Sequence, residues 1–284
     1  MTLYSVGLSE DPVLTKKYSK TELARLLVVE QYPRSASYDP EWVIENLMGP
    51  NVLWLTEALT QVMKLRPGMR VLDMGCGKAV SSIFLAKEFK VQVWAADLWI
   101  KPTENLKRIQ AAGLEDRIFP VHAEAHALPF PDDFFDALVS FDAYHYFGTD
   151  DLYMAYYSRF AKDDAQIGIV VPGLVQEFTE GLPSHVAPYW ESDYWSFHSP
   201  RWWHSQWVKS GKVAVELSDL VPEGWKHWLR WLEICRDQEA PTDAREIEML
   251  RADTGRSLGF TRVLARKKRL PGTQDWLDRV PTKD

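Results

Sequence analysis

Two cysteines in 284 residues, Cys76 and Cys235, are too few for a disulfide framework, and they form neither a CxxC pair nor a Cys/His zinc spacing. A reducing, cytoplasmic setting is the expectation. No apolar run approaches the roughly 20 residues of a membrane span, and Met1 to Asp11 lack the basic and apolar regions of a secretory signal. Positive charge is also short. Thirty-three Lys and Arg against forty Asp and Glu leave a net charge of −7, which disfavours a nucleic-acid partner. Internal repeats and low-complexity linkers are missing as well, so one enlarged domain is expected.

What is present is a folded composition, 46% hydrophobic and 26% charged, with an excess of tryptophan. Of thirteen tryptophans, Trp190, Trp195, Trp202, Trp203, Trp207, Trp225, Trp228 and Trp231 fall between residues 190 and 231. The trio Trp225, Trp228 and Trp231 recurs at i, i+3 and i+6, the spacing of a packed helix stripe.

The first 65 residues read as helical. Ser19-Lys20-Thr21-Glu22 has capping-box spacing before Leu23 to Val29, Asp39-Pro40 places a cap and a first-turn proline before Glu41 to Met48, and Pro50-Asn51 opens a helix over about 52–64. From Met69 short apolar runs alternate with helical stretches. Strands are expected over 70–74, 91–96, 118–121, 137–141 and 166–171, with helices near 79–89, 103–112 and 149–162 between them. Such alternation predicts an α/β fold with a doubly wound, mostly parallel sheet covered on both faces. After a Pro- and aromatic-rich stretch over 177–200 come a helix carrying Trp202, Trp203 and Trp207, a strand at 213–217, helices at 223–236 and 242–256, and a strand at 260–265. The last two strands form an antiparallel edge in this reading, making seven strands. The divisions expected are a helical cap (1–66), a core (67–173), a lid insertion (174–200), the second half of the sheet with its helices (201–268) and a tail (269–284). Lys267-Lys268-Arg269 reads as a solvated basic run.

Val71-Leu72-Asp73-Met74-Gly75-Cys76-Gly77 is a strand running into a glycine turn before a helix, where the backbone can bend tightly and approach a ligand. Asp97 ends the second strand 24 residues after Asp73, a placement from which a carboxylate can accept both hydroxyls of a ribose. Glu124 follows the third strand, and Leu128-Pro129-Phe130-Pro131-Asp132-Asp133-Phe134-Phe135-Asp136 leads into the fourth. A dinucleotide site would want a third glycine where Val80 stands, so the NAD reading loses.

Together these residues resemble the class I S-adenosylmethionine-dependent methyltransferases, in particular the ubiquinone and menaquinone C-methyltransferase and small-molecule methyltransferase group. The likeness covers residues 45–173 and, more loosely, 200–268, including Trp203-His204-Ser205-Gln206-Trp207-Val208-Lys209-Ser210-Gly211. It implies a Rossmann-like fold with S-adenosylmethionine as cofactor. Asp73 would order the glycine loop and reach the methionine end through water, with Gly75, Cys76 and Gly77 bordering the amino-acid moiety. Asp97 would hold the ribose, Leu98 would pack on adenine, Glu124 would accept the adenine N6 hydrogen and the Ala125 N–H would donate to the ring. Ser140 joins the cofactor-binding set from the fourth strand. The family's usual third glycine is Ala79 here, which fits if that residue has helical φ, and the preceding Lys78 is a candidate for the cofactor carboxylate.

By the same resemblance the loop Ser140-Phe141-Asp142-Ala143-Tyr144-His145-Tyr146-Phe147 faces the reactive methyl. His145, by its ordinary pKa, and Tyr144 are the candidate bases, against a plainer reading as packing residues. Tyr146, Asn51, Trp54, Trp195 and Trp203 are the substrate and lid candidates, with Trp190, Trp202, Tyr189 and Tyr194 as further candidate walls for an apolar or cationic acceptor. Cys76 reads as a space-filler, and the scarcity of cysteine argues against arsenic methylation. The expected activity is methyl transfer to a small molecule by a monomer or homodimer without a metal. A non-catalytic S-adenosylmethionine sensor or scaffold is the alternative. A nucleic-acid or protein methyltransferase is disfavoured by charge and by the lack of an Asn/Asp-Pro-Pro-aromatic motif after the fourth strand.

Overall fold

The computed structural model describes residues 17–269. The expected tail therefore lies outside the described residues beyond Arg269, as does the stretch Met1 to Asp11.

The start signals in the cap form as read. Ser19 caps α1 (Lys20–Leu26) with a complete capping box through Glu22. Asp39 accepts the Glu41 and Trp42 N–H groups at the head of α2 (Pro40–Glu45), and Asn51 does the same for Leu53 and Trp54 at the head of α3 (Val52–Thr60). Short-range hydrogen bonding decides each of these ends, which is why sequence spacing reveals them.

The core alternates β1 (Arg70–Met74), α4 (Val80–Phe89), β2 (Gln92–Asp97), α5 (Pro102–Ala111), β3 (Ile118–His122) and β4 (Phe135–Phe141). In place of a long helix over 149–162 there is only α6 (Tyr153–Tyr157), followed by a single 3-10 turn at Ser158–Phe160. The chain leaves that turn directly into β5 (Ala161–Leu174), a fourteen-residue strand that takes over residues expected to be helical. Then come α7 (Pro200–Lys209), β6 (Val213–Leu220), α8 (Gly224–Asp237), α9 (Ala244–Asp253) and β7 (Leu258–Lys267).

The seven strands run in the order β3-β2-β1-β4-β5-β7-β6. The pairs among the first five are parallel, while β7 lies antiparallel to both β5 and β6. The antiparallel strand thus sits one position inside the sheet, with β6 outermost. Side chains alternate between two apolar layers: Val71 and Val139 join the residues of α3, α4, α8 and α9, whereas Leu72 and Leu138 join those of α6 and α7. Because β1 and β4 are neighbours while β2 lies on the other side of β1, the strand order reverses at β1, and ligands bind beyond the carboxyl ends of strands at such a switch point.

Among the described residues no helix is long and apolar enough to cross a membrane. The basic run is held by local acids, with Lys267 on Asp133 and the Ala161 carbonyl, and Arg269 near Asp163 and Asp164.

Candidate functional site

Beyond the carboxyl ends of β1, β2 and β4 lies a cavity of about 500 Å³, well inside the range of about 300–1,000 Å³ common for small-molecule sites. One wall is the glycine turn. Gly75 has φ +73°, and a Cβ there would stand 2.4 Å from the Ala143 Cβ, so only glycine lets the turn after β1 meet the turn after β4.

Asp97 ties this wall together. Its Oδ2 accepts the Gly77 N–H at 2.8 Å, and its Oδ1 accepts the N–H groups of Trp99 and Ile100, each at 2.8 Å. Oδ1 is filled by those two donors, Oδ2 keeps lone-pair capacity, and the residue lines the cavity. Asp73 stands one layer back. It is fully buried, its Oδ2 accepts the Ser81 and Ser82 hydroxyls at 2.6 Å each, and burial pushes its pKa up to about 6 against those two hydrogen bonds. Its Oδ1 has no partner among the described residues. A buried orphan acceptor asks for a donor, and a donor brought by water or ligand at the glycine turn would supply it.

Ala79 departs from expectation in conformation as well as identity. Its φ of +60° is left-handed, not helical, and it begins α4 without a side-chain cap. Lys78 is occupied elsewhere. Its ammonium donates to the Glu45 and Leu47 carbonyls, both at 3.2 Å, and so straps the segment after α2 over the glycine turn. It is thereby engaged rather than aimed at a ligand carboxylate.

Gly75, Cys76, Gly77, Asp97, Leu98, Glu124, Ala125 and Tyr146 all line the cavity, bringing half of the expected residues together. Glu124 is already engaged, since His126 donates its backbone N–H and places Nδ1 on the carboxylate at 2.8 Å each, which lowers the Glu124 pKa. Cys76 is buried, and burial drives its thiol pKa up, which fits a filler rather than a nucleophile.

The other half lies elsewhere. Tyr144 is enclosed by Phe147, Tyr153, Tyr157, Trp203 and Trp207, with its phenol pKa raised by burial, so it belongs to the core and not to the cavity. His145 is 1% exposed, its ring lies 4.0 Å from that of Tyr146 and 5.6 Å from that of Phe197, and desolvation pushes its pKa down to about 3. An imidazole with so low a pKa is a poor base at neutral pH. Neither candidate base lines the cavity. Ser140 is fully buried within β4 and does not line it either. Asn51 is spent on capping α3, and Trp54 packs edge-on against Trp231.

Nor do the lid candidates wall the cavity. Trp203 is fully buried in the α6/α7 layer, while Trp195 is 61% exposed and leans on Trp190. Trp190 and Tyr194 pack with Phe178 and Phe197 behind the turn that carries His145. Trp202 stacks on His198 at 3.6 Å, and Tyr189 joins the α8/α9 layer. The segment is pinned by His185 to Asp253 at 2.9 Å and by His198 to Glu177 at 3.1 Å.

In their place the cavity takes Met48, Gly49, Trp99, His126, Phe141 and Asp142, which sequence reasoning did not single out. Asp142 is the most informative. It has φ +52°, its N–H donates to the Val170 carbonyl at 2.9 Å, and its carboxyl occupies the space a Gly49 Cβ would need, 2.5 Å away. Enclosure, then the nearby charge of Glu246, drive its pKa well up, with no hydrogen bond from the described residues opposing them. The available signal was the Gly49 turn just ahead of α3, which makes room for a side chain from another loop.

Residues 71–163 match the methyltransferase domain family. The chain therefore carries a methyltransferase domain over those residues. A relative, the 27-O-demethylrifamycin SV methyltransferase of Amycolatopsis mediterranei, is 33% identical over 93 residues, which is 32% of this chain and 34% of that enzyme. The match thus spans about a third of that relative's length. Among solved structures, the phosphoethanolamine N-methyltransferase 2 of Haemonchus contortus in complex with S-adenosyl-L-methionine aligns with a TM-score of 0.65 at 18% identity, over 85% of this chain and 61% of that one. The [4+2]-cyclase SpnF aligns with a TM-score of 0.61 at 16% identity, over 75% and 80%. At these identities the solved structures establish the fold of the methyltransferase domain and not its reaction.

Proposed function

We propose that the protein is an S-adenosylmethionine-dependent methyltransferase acting on a small-molecule acceptor. The observation that carries this reading is the Asp97 carboxylate, pinned to the glycine turn through Gly77 and lining a cavity of about 500 Å³ at the switch point of the sheet. The residues fit the cofactor in kind. Asp97 Oδ2 keeps a lone pair for a ribose hydroxyl, the Gly75 to Gly77 backbone would border the amino-acid end, the orphaned Asp73 Oδ1 would accept through water, and Leu98 and Ala125 would flank the adenine. Glu124 keeps capacity for an adenine N6 hydrogen beside its bonds to His126.

When bound, S-adenosylmethionine supplies an electrophilic methyl group on a sulfonium. The chain's own share of the reaction is alignment of the acceptor and exclusion of water. Met48, Phe141 and Phe147 provide apolar walls, and Tyr146 stands half-exposed at the mouth beside Trp99, with ring centroids 6.1 Å apart. Both cysteines are buried and unpaired, which supports a reducing, cytoplasmic setting. The net charge of −7 supports a small acceptor over nucleic acid. We read residues 1–284 as one methyltransferase unit, monomeric or homodimeric.

A non-catalytic binder is the second reading. The withdrawal of Tyr144 and His145 from the cavity favours it, and a fold neighbour is named for a different reaction. Titration calorimetry with S-adenosylhomocysteine, beside NAD and the Asp97→Ala variant, tests the first step: saturable binding that weakens in the variant is expected, and binding of NAD alone overturns the reading. Release of S-adenosylhomocysteine with any acceptor then separates enzyme from sensor.

A further inference from the structure

We propose that the part of the cavity walled by Met48, Gly49, Phe141 and Asp142 takes a positively charged amine as acceptor, with Asp142 pairing with the ammonium and receiving its proton. This rests on the methyl-transfer reading above.

The argument starts from a carboxyl placed in the cavity without a counter-ion. Asp142 follows β4 in a left-handed conformation, anchored through its N–H on Val170. Gly49 leaves room for its Oδ2, and the Gly49 carbonyl is itself fixed by the Trp231 indole N–H at 2.9 Å. Two separate elements are thus arranged around this one side chain. Asp142 is half-buried, and carboxylates drawn partly out of water ordinarily have a cationic partner or several donors. Here the lining residues that carry or can carry positive charge are Lys78, held by the Glu45 and Leu47 carbonyls, and His126, held by Glu124. Glu246 on α9 adds further negative charge, felt by both Asp142 and Tyr146.

The surroundings suit a cation. Phe141, Tyr146 and Phe147 line the same cavity, and aromatic faces attract ammonium groups. A carboxylate or phosphate acceptor would bring like charge to Asp142, while the two basic lining residues are held by the Glu45 and Leu47 carbonyls and by Glu124. An uncharged hydroxyl acceptor would gain no ion pair from Asp142.

The step balances. The ammonium gives one proton to the Asp142 carboxylate and frees the nitrogen lone pair. That pair forms the new N–C bond to the methyl group while the C–S bond breaks with its electrons remaining on sulfur, giving a methylated ammonium and a neutral thioether.

The test uses the full chain loaded with S-adenosylhomocysteine and titrated with choline and with its uncharged isostere, 3,3-dimethylbutan-1-ol. Choline is expected to bind at least about tenfold more tightly, and Asp142→Asn is expected to reduce that preference to below about threefold while S-adenosylhomocysteine affinity stays within about threefold. Turnover of methyl-labelled S-adenosylmethionine is then followed with amines, alcohols and carboxylates of matched skeleton. Amines should react, with kcat/KM falling about 100-fold in Asp142→Asn. No preference for choline in the wild-type protein overturns the proposal whether or not the variant folds, and so does turnover of alcohols or carboxylates that Asp142→Asn leaves unchanged. Failure of the wild type to bind S-adenosylhomocysteine instead overturns the methyl-transfer reading, so the two failures are distinguishable.

Discussion

The Gly77 N–H donates to Asp97 Oδ2 at 2.8 Å, joining the end of β2 to the glycine turn after β1. The carboxylate is therefore a structural pin as well as a ligand candidate. Asp97→Ala leaves three backbone N–H groups without their acceptor, at a cost of about 1–3 kcal/mol, and is expected to weaken S-adenosylhomocysteine binding at least about tenfold. Asp97→Asn keeps one carbonyl acceptor and should lose less of both. Urea melts and calorimetry on the two variants check this. If Asp97→Ala melts like the wild type, the pin is not one.

Ala79 is fully buried and left-handed at φ +60°. Glycine relieves a strain of about 1–2 kcal/mol for an L-residue in that region, against the loss of about 0.8 kcal/mol for one buried methyl. Ala79→Gly is therefore expected to raise the melting temperature slightly or leave it unchanged, with S-adenosylhomocysteine binding retained. A fall of several degrees in a thermal melt contradicts the strain argument.

His145 offers a pH test. Its folded pKa of about 3 lies below the ordinary 6.5, because burial penalises the imidazolium. Between those values the unfolded chain binds more protons than the native one, so this residue's contribution to stability is intact above about pH 6.5 and is lost as pH falls toward 3. Asp73 and Glu246, raised to about 6 and about 7, act with the opposite slope. The difference between wild type and His145→Phe isolates the histidine: denaturation midpoints measured from pH 7 to 4 should fall further in the wild type. Parallel curves would show that His145 is not held neutral.

Two tryptophans separate lid from core. Trp203 is 0% exposed and Trp195 is 61% exposed. Trp203→Ala is expected to cost about 3–5 kcal/mol, whereas Trp195→Ala should stay within about 0.5 kcal/mol. Chemical denaturation of both variants measures the contrast.

Much of the site is legible in the sequence because local chemistry writes it. The glycine turn, the β2 acid, and the caps at Ser19, Asp39 and Asn51 all depend on hydrogen bonds within a few residues or on strand-to-turn junctions. The loop after β4 is not legible in detail, for the opposite reason. Which of Asp142, Tyr144, His145 and Tyr146 faces the cavity depends on the left-handed φ of Asp142 and the single 3-10 turn at Tyr144–Tyr146, and neither follows from residue type or spacing. The expected helix over 149–162 likewise shortens to α6 and a 3-10 turn, and its last two residues pass into β5, which pairs with both β4 and β7 from Gln166 onward.

By itself the sequence determined the alternation of strands and helices, the switch-point site they create and the carboxylate that pins its glycine turn, since periodicity and turn chemistry are local and additive. Only the tertiary structure decided which side chains wall that site. It turned Tyr144 and His145 into core and brought Gly49 against Asp142 from 93 residues away, because burial and close approach are properties of the packed chain.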